Sequence, residues 1–238
     1  MPEVKISKLN VIYKDKNGDT TVFKDFDVTF YDGKTNVIVG DSGAGKTTLL
    51  RCIIGLLPYE GDIYFDGTNL KPFTIQERNV SYVSQNFSLY PNLSALNNIA
   101  MPLKNLRISG DEIRNRVYDV AELLGIKECL SRKPHQLSLG QCQRIAIARA
   151  LIKRPNVIIF DEPFSSLDQK TASQLIKDLK EIFTKTNLTA IVVSHNAQQS
   201  LALADYIFVI KDGKLIESGE PQAVYNSSNS DVHQLFTL

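Results

Sequence analysis

No stretch of this sequence approaches the roughly 18 consecutive apolar residues that a membrane-spanning helix requires. The first ten residues alternate Val4, Ile6 and Leu9 with lysines and build no apolar leader. Crossing or entering a membrane is therefore not expected of this chain. Neither sign of charge is in excess: 27 basic against 26 acidic residues leave a formal net charge of +1. Such a balance offers no electrostatic footprint for nucleic acid or an anionic surface, so nucleic acid is not favoured as a partner. Cysteine is scarce. Cys52, Cys129 and Cys142 are odd in number, scattered and without C-x-x-C spacing, and read as reduced thiols in a cytosolic protein. Long linkers, low-complexity tracts and internal repeats are missing too. What remains, 238 residues with 43% hydrophobic and 22% charged, is enough for a sizeable core in one domain, or in one domain with a small insert.

The most specific feature present is Gly40-Asp41-Ser42-Gly43-Ala44-Gly45-Lys46-Thr47, which fits G-x-x-x-x-G-K-[ST] at every fixed position. It follows the apolar run Val37-Ile38-Val39. It precedes Leu49, Leu50, Ile53, Ile54 and Leu57 at helical spacing, so a helix is predicted from Lys46 to Leu57. Strand, glycine-rich loop and helix in this order form a cradle for the phosphates of a nucleoside triphosphate. Backbone N–H groups turn inward, Lys46 reaches the β/γ bridge, and the Thr47 hydroxyl is placed to ligate Mg²⁺. The free N–H groups and positive dipole end of the helix face the same phosphates.

Around this loop three zones are legible. From Val4 to Val39, short β-branched and aromatic runs broken by Asn17-Gly18 and Asp32-Gly33 predict an N-terminal antiparallel β layer. From about Asn86 to Lys153 the period turns helical. There Ser109-Gly110-Asp111-Glu112 reads as a capping box before Ile113, Val117, Val120, Ala121 and Leu124. From Val157 onward strand and helix alternate, which predicts a parallel core sheet; Lys211-Asp212-Gly213 then turns a hairpin and a short helix closes the chain. The strand Val157-Phe160 ends in Asp161-Glu162-Pro163. Read alone, two acids before a proline open a surface turn. Beside a phosphate loop, Asp161 is placed to hold Mg²⁺ and Glu162 to orient and polarise an attacking water.

Further residues carry a family resemblance. Leu137-Ser138-Leu139-Gly140-Gln141, followed by Cys142-Gln143-Arg144, resembles the signature of ABC-type ATPases. Gln85 in Tyr82-Val83-Ser84-Gln85, Ser165-Ser166-Leu167-Asp168 after Glu162, and His195 after Ile191-Val192-Val193-Ser194 extend the likeness over nearly the whole chain. A GTPase reading fails because no N-K-x-D follows the loop. The resemblance implies an α/β fold of the P-loop NTPase type: a RecA-like parallel sheet core, an N-terminal antiparallel β layer and an inserted α-helical subdomain. As a single ATP-binding domain over 1–238, it would have its core at 1–85 and 154–238 and its insert at 86–153.

The resemblance also implies roles. Glu162, His195 and Gln85 would be catalytic. Tyr13 would stack on adenine, unless it is an ordinary strand tyrosine. Gly40 through Thr47, with Thr48, would bind ATP, and Thr47, Gln85 and Asp161 would hold Mg²⁺. His195 would hydrogen-bond the γ-phosphate; the alternative is a packed core histidine. Ser138, Gly140 and Gln141 would bind the ATP of a second subunit, so that two chains pair head to tail, as a homodimer or with a paralogous ATPase subunit. Asp168 would lie at the seam of that dimer, and a helix N-cap fits the sequence equally well.

One position departs from the pattern: Leu139 stands where a second small residue, most often glycine, is usual. It either weakens the ATP-bound dimer mildly or points away and leaves the amide to serve. The whole is expected to act as a peripheral ATPase on the cytoplasmic face of the cell membrane. It would drive integral membrane transporter subunits, with import and a solute-binding protein favoured over export or a soluble role. Importers of sugars commonly carry a further C-terminal β domain where this sequence stops at Leu238, which tells against a sugar.

Overall fold

The structure is a computed structural model and describes every residue except Lys16, Asn17, Gln85, Asn86, Asn105 and Leu238. The chain opens with strands β1 (Val4–Tyr13), β2 (Thr20–Phe30) and β3 (Thr35–Val39), then helix α1 (Lys46–Ile54). Strands β4 (Glu60–Phe65), β5 (Thr68–Asn69) and β6 (Val80–Val83) follow. Next come helices α2 (Ala95–Ala100), α3 (Gly110–Leu123) and α4 (Leu139–Leu151). The last third alternates β7 (Val157–Asp161), α5 (Gln169–Thr186), β8 (Thr189–Val193) and α6 (Ala197–Leu203), then β9 (Tyr206–Lys211) and β10 (Lys214–Gly219). Two short helices close the chain, α7 (Pro221–Tyr225) and α8 (Ser230–Thr237).

Two sheets result. The core sheet runs β10-β9-β3-β8-β7-β6, parallel from β9 to β6, with β10 antiparallel at the edge. Its central strands β3, β8 and β7 are buried along almost their whole length because both faces are covered. Val37, Ile158, Phe160, Val192 and Val209 pack among α2 to α5, while Ile38, Ile159, Val193, Phe208 and Ile210 pack against α1 and the second sheet.

The second, antiparallel sheet is ordered β2-β1-β4-β5. Here the sequence reading needs correction, since it drew the antiparallel layer over Val4–Val39. β3 belongs to the core sheet, and the layer recruits β4 and β5 from beyond α1. The gly-rich hairpin signal at Asp66-Gly67 closes β4 onto β5, and Ile63 and Phe65 complete the apolar face shared with Val4, Ile6 and Phe30. The short runs before Tyr31 join into two long strands, β1 and β2. Each is bent where Lys8 and Asp25 take φ of 49° and the register slips.

Helix α1 stops at Ile54, short of the predicted Leu57. Gly55 adopts φ 89° and its N–H reaches back to the Arg51 and Cys52 carbonyls, an αL ending that leaves Leu56 and Leu57 outside the helix. At the far edge the predicted hairpin is present: Asp212 (φ 48°) and Gly213 (φ 70°) are both left-handed, as a two-residue turn between twisted strands demands. No described helix is long and apolar enough to cross a membrane.

Candidate nucleotide site

Parallel pairing places the carboxyl ends of β3, β7 and β8 side by side, with Ile38 opposite Val193 and Asp161 opposite Val193. The loops leaving those ends converge there, at the edge where open α/β sheets hold their ligands. β3 runs into Gly40–Gly45. A Cβ on Gly40 would stand 2.0 Å from the Ile210 carbonyl oxygen, and one on Gly45, at φ 98°, would meet the Phe23 ring at 2.7 Å. Only glycine fits either place. Asp41, Ser42 and Gly43 are exposed at the crest, and the Ala44 N–H donates to the Asp41 carbonyl at 3.2 Å. This glycine-lined turn, continued by the N-terminus of α1, matches the steric and dipolar needs of a polyphosphate.

Lys46 is buried, and its Nζ donates to the Gly40 and Asp41 carbonyls at 2.7 and 2.8 Å. Burial lowers its pKa from the ordinary lysine value, opposed by the nearby charges of Glu162, Asp41 and Asp161. Those carboxylates therefore stand within electrostatic reach of the lysine. Thr47 Oγ1 donates to Asp161 Oδ1 at 3.2 Å, and Tyr82 OH donates to Asp161 Oδ2 at 3.0 Å. A hydroxyl beside a carboxylate is a hard-oxygen set. Mg²⁺ takes one or two such protein ligands and leaves the rest of its shell to phosphates and water. The described residues contain no group of three or more His, Cys, Asp or Glu that would make an all-protein cage.

Glu162 takes φ 50°, a left-handed conformation uncommon for a non-glycine residue and held in place by its surroundings. Its N–H donates to the Val193 carbonyl, its own carbonyl accepts from Ser165 Oγ, and its Oε2 lies 3.1 Å from His195 Nδ1. The His195 side chain is 58% exposed, so it is no packed core histidine. Tyr13 OH and Thr48 Oγ1 are 3.3 Å apart, which sets the ring beside the first turn of α1. Gln85, expected to complete this group, lies outside the described residues.

Ser138, Gly140 and Gln141 form a different place. Ser138 caps α4: its Oγ accepts from the Gln141 N–H, and Gln141 Oε1 accepts from the Ser138 N–H. The nearest atom to a Cβ built on Gly140 is Thr171 Cγ2 of α5, at 3.5 Å. Among the described residues no hydrogen bond joins this trio to Gly40–Thr48. Leu139 between them is 49% exposed. Asp168 caps α5 through the Thr171 N–H and hydroxyl, and those bonds lower its pKa, so the N-cap alternative is present. The reading of residues missed two contacts. Tyr82 entered only as the first residue of the segment ending at Gln85; a phenol two residues after half-buried Val80, on a strand running to the site, was the available signal. The Arg149 guanidinium donates to the Phe87 and Ser88 carbonyls, which no spacing announces.

The sequence profile described as "ABC transporter" matches residues 23–165, which includes the phosphate loop, the Ser138 cap and the Asp161-Glu162 pair. The chain belongs to the ABC transporter family. Over 230 residues it is 40% identical to the glucose import ATP-binding protein GlcV of Saccharolobus solfataricus, covering 94% of this chain and 65% of that protein. Over 219 residues it is 38% identical to the sn-glycerol-3-phosphate import ATP-binding protein UgpC of Chromohalobacter salexigens, covering 92% and 59%. The chain thus spans about three-fifths of the length of these curated relatives. Among solved structures, the dimeric post-hydrolysis ATP-binding cassette MJ0796 bound to ADP and Pi superposes with a TM-score of 0.81 at 30% identity. It covers 92% of this chain and 98% of that one. CbiO1 of Clostridium perfringens, part of the transporter complex cbiONQ, gives 0.86 at 30% identity, covering 93% and 90%. This ABC family member therefore has the α/β cassette fold that its sequence resemblance implied.

Proposed function

We propose that the protein is the Mg²⁺-dependent ATP-hydrolysing subunit of an ABC importer. The observation that carries the reading is the Glu162–His195 pair at 3.1 Å, at the strand ends that also deliver Lys46, Thr47 and Asp161. Lys46 and the α1 N-terminus would take the phosphates, and Tyr13 would stack on the base. Thr47 and Asp161, with Gln85, would hold Mg²⁺, whose charge neutralises phosphate oxygens when it is bound. The Glu162 carboxylate would accept a proton from water as that water's oxygen bonds to the γ-phosphorus and the bond to the ADP oxygen breaks. His195 would hold the carboxylate in line and donate to the γ-phosphate. Ser138, Gly140 and Gln141 would meet the nucleotide of a second subunit in a head-to-tail dimer, a homodimer or a pair with a paralogue. Dimeric cassettes among similar structures support that arrangement.

The proposal takes 1–85 and 154–238 as core and 86–153 as inserted helical subdomain of one domain. It sets the protein on the cytoplasmic face of the membrane, peripheral to integral transporter subunits. A groove of about 430 Å³ lined by Tyr82, Tyr90, Met101, Pro102 and Arg149 is the place for such a subunit to dock. The names of the relatives agree on import and differ in solute, which supports an importer with a solute-binding protein and leaves the solute to the other chains.

Two measurements test this. Phosphate release from ATP should fall about 10²- to 10⁴-fold in Glu162→Gln, as for loss of a general base; equal rates in both proteins would sink the catalytic assignment. Purification from detergent-solubilised native membranes should bring membrane subunits and a solute-binding protein. Membrane subunits alone would favour export, and recovery of soluble partners only would overturn transport.

A further inference from the structure

Helix α4 begins at Leu139, beside its Ser138 cap, and one turn further along, roughly 6 Å up the axis, it carries Gln143. Gln143 is 1% exposed. Its Nε2 donates to the carbonyl oxygen of Pro163, the residue directly after Glu162. Its Oε1 is buried and has no hydrogen-bond partner among the described residues. A buried amide with one half unsatisfied costs stability that an apolar side chain of the same length would not, so the half that is used needs a reason.

The Glu162-Pro163 turn supplies one. Glu162 sits at φ 50° and is pinned by bonds from three directions: to the Val193 carbonyl of β8, from Ser165, and, through Pro163, from Gln143 of α4. The first two tie the turn to the core sheet and to its own loop. Among the described residues, Gln143 is the one whose hydrogen bond ties it to the helix whose N-terminus holds Ser138 and Gly140. The same helix also grips the far loop, where Arg149 donates to the carbonyls of Phe87 and Ser88, both at positive φ. α4 is thus tethered to strained backbone at two points, and one of them adjoins the carboxylate.

We propose that Gln143 is a positioning residue: it transmits engagement of the α4 N-terminus by a second subunit's nucleotide to the placement of Glu162 against the water. The inference rests on the ATPase reading above. A helix is stiff along its axis, so a small shift at Leu139 arrives at Gln143 undiminished. The single buried hydrogen bond to Pro163 then moves the turn that carries the carboxylate. Gln143 touches no reacting atom, and its effect passes wholly through Glu162.

The test compares wild type, Gln143→Met, Gln143→Glu and Glu162→Gln by steady-state phosphate release, binding stoichiometry of a fluorescent ATP analogue, and thermal melting. Gln143→Met keeps the length and removes the donor. Gln143→Glu also removes the donor when ionised. The expected result is a kcat at least tenfold below wild type in Gln143→Met. KM for ATP should stay within twofold, one analogue should bind per chain, and ATP-driven dimerisation in a Glu162→Gln background should be unchanged. A kcat equal to wild type overturns the proposal. So does a fall in kcat matched by a fall in binding stoichiometry, or failure of both Gln143 variants to fold, since each assigns Gln143 to structure alone. If wild type itself releases no phosphate, or Glu162→Gln matches it, the ATPase reading has failed instead, and the two failures are distinguishable.

Discussion

Replacing Leu139 by glycine should make the protein less stable and the enzyme faster, and the opposite signs separate the two effects. Leu139 is the first residue of α4 and is 49% exposed. About half of the ~1.5–3 kcal/mol of full leucine burial, roughly 1 kcal/mol, is therefore lost on truncation. Glycine adds up to about 1 kcal/mol of helix entropy cost, less in a first turn than in a helix interior. The monomer should lose about 1–2 kcal/mol, a fall in Tm of roughly 2–8 °C. In the proposed head-to-tail dimer the exposed half of the side chain would have to fit beneath a phosphate. Forcing a leucine off its rotamer costs about 0.5–1.5 kcal/mol. Removing that cost should tighten the closed dimer about 2- to 10-fold. The assay is phosphate release as a function of protein concentration below saturation of the dimer, paired with melting of the same samples. A turnover unchanged or lower at equal folded fraction refutes the reasoning, and would mean that the side chain lies clear of the nucleotide while the amide alone serves.

Removing the Tyr82 hydroxyl with phenylalanine frees Asp161 Oδ2 from its 3.0 Å partner; the Mg²⁺ concentration for half-maximal activity should rise about 10-fold, the low end for a group that orients a ligand, as a metal titration would show. Ser138→Ala deletes the α4 cap and should cost about 1 kcal/mol by urea denaturation, with activity lost well beyond what that destabilisation explains. Arg78 is 5% exposed and donates to the Cys52 and Ile53 carbonyls at the end of α1, each at 2.9 Å, and to the Leu70 carbonyl. Arg78→Met should cost about 3–4 kcal/mol in urea and leave kcat per folded molecule unchanged. For Lys46, whose folded pKa lies below the unfolded value, the unfolded chain binds more protons between the two. Its contribution to stability therefore rises with pH through that window and is complete above about 10.4. The stability of wild type relative to Lys46→Met, followed in urea from pH 8 to 11, should shift in favour of wild type; a flat difference would contradict the shift.

Much of this protein is local and so can be read from order along the chain. The phosphate loop is contiguous, and its glycines are demanded by close approach of Ile210 and Phe23. The caps at Ser109, Ser138 and Asp168 each act on a backbone N–H three residues away. The apolar strands that end in Asp161 and before His195 announce a sheet covered on both faces. Family identity followed from several such motifs in sequence order. What the sequence left undecided is what depends on pairing between distant segments. Nothing local says that β3 leaves the N-terminal layer for the core sheet while β4 joins β1 across α1, because a short strand ending in Val37-Ile38-Val39 suits either sheet. Nor does spacing reveal that Tyr82 meets Asp161, that His195 meets Glu162 at 3.1 Å, or that Gln143 reaches Pro163. Hydrophobic periodicity fixes which face of a strand or helix is buried; only packing of one element on another fixes which polar tips then touch. In this cassette the chemistry was written locally, and its alignment was decided by the tertiary fold.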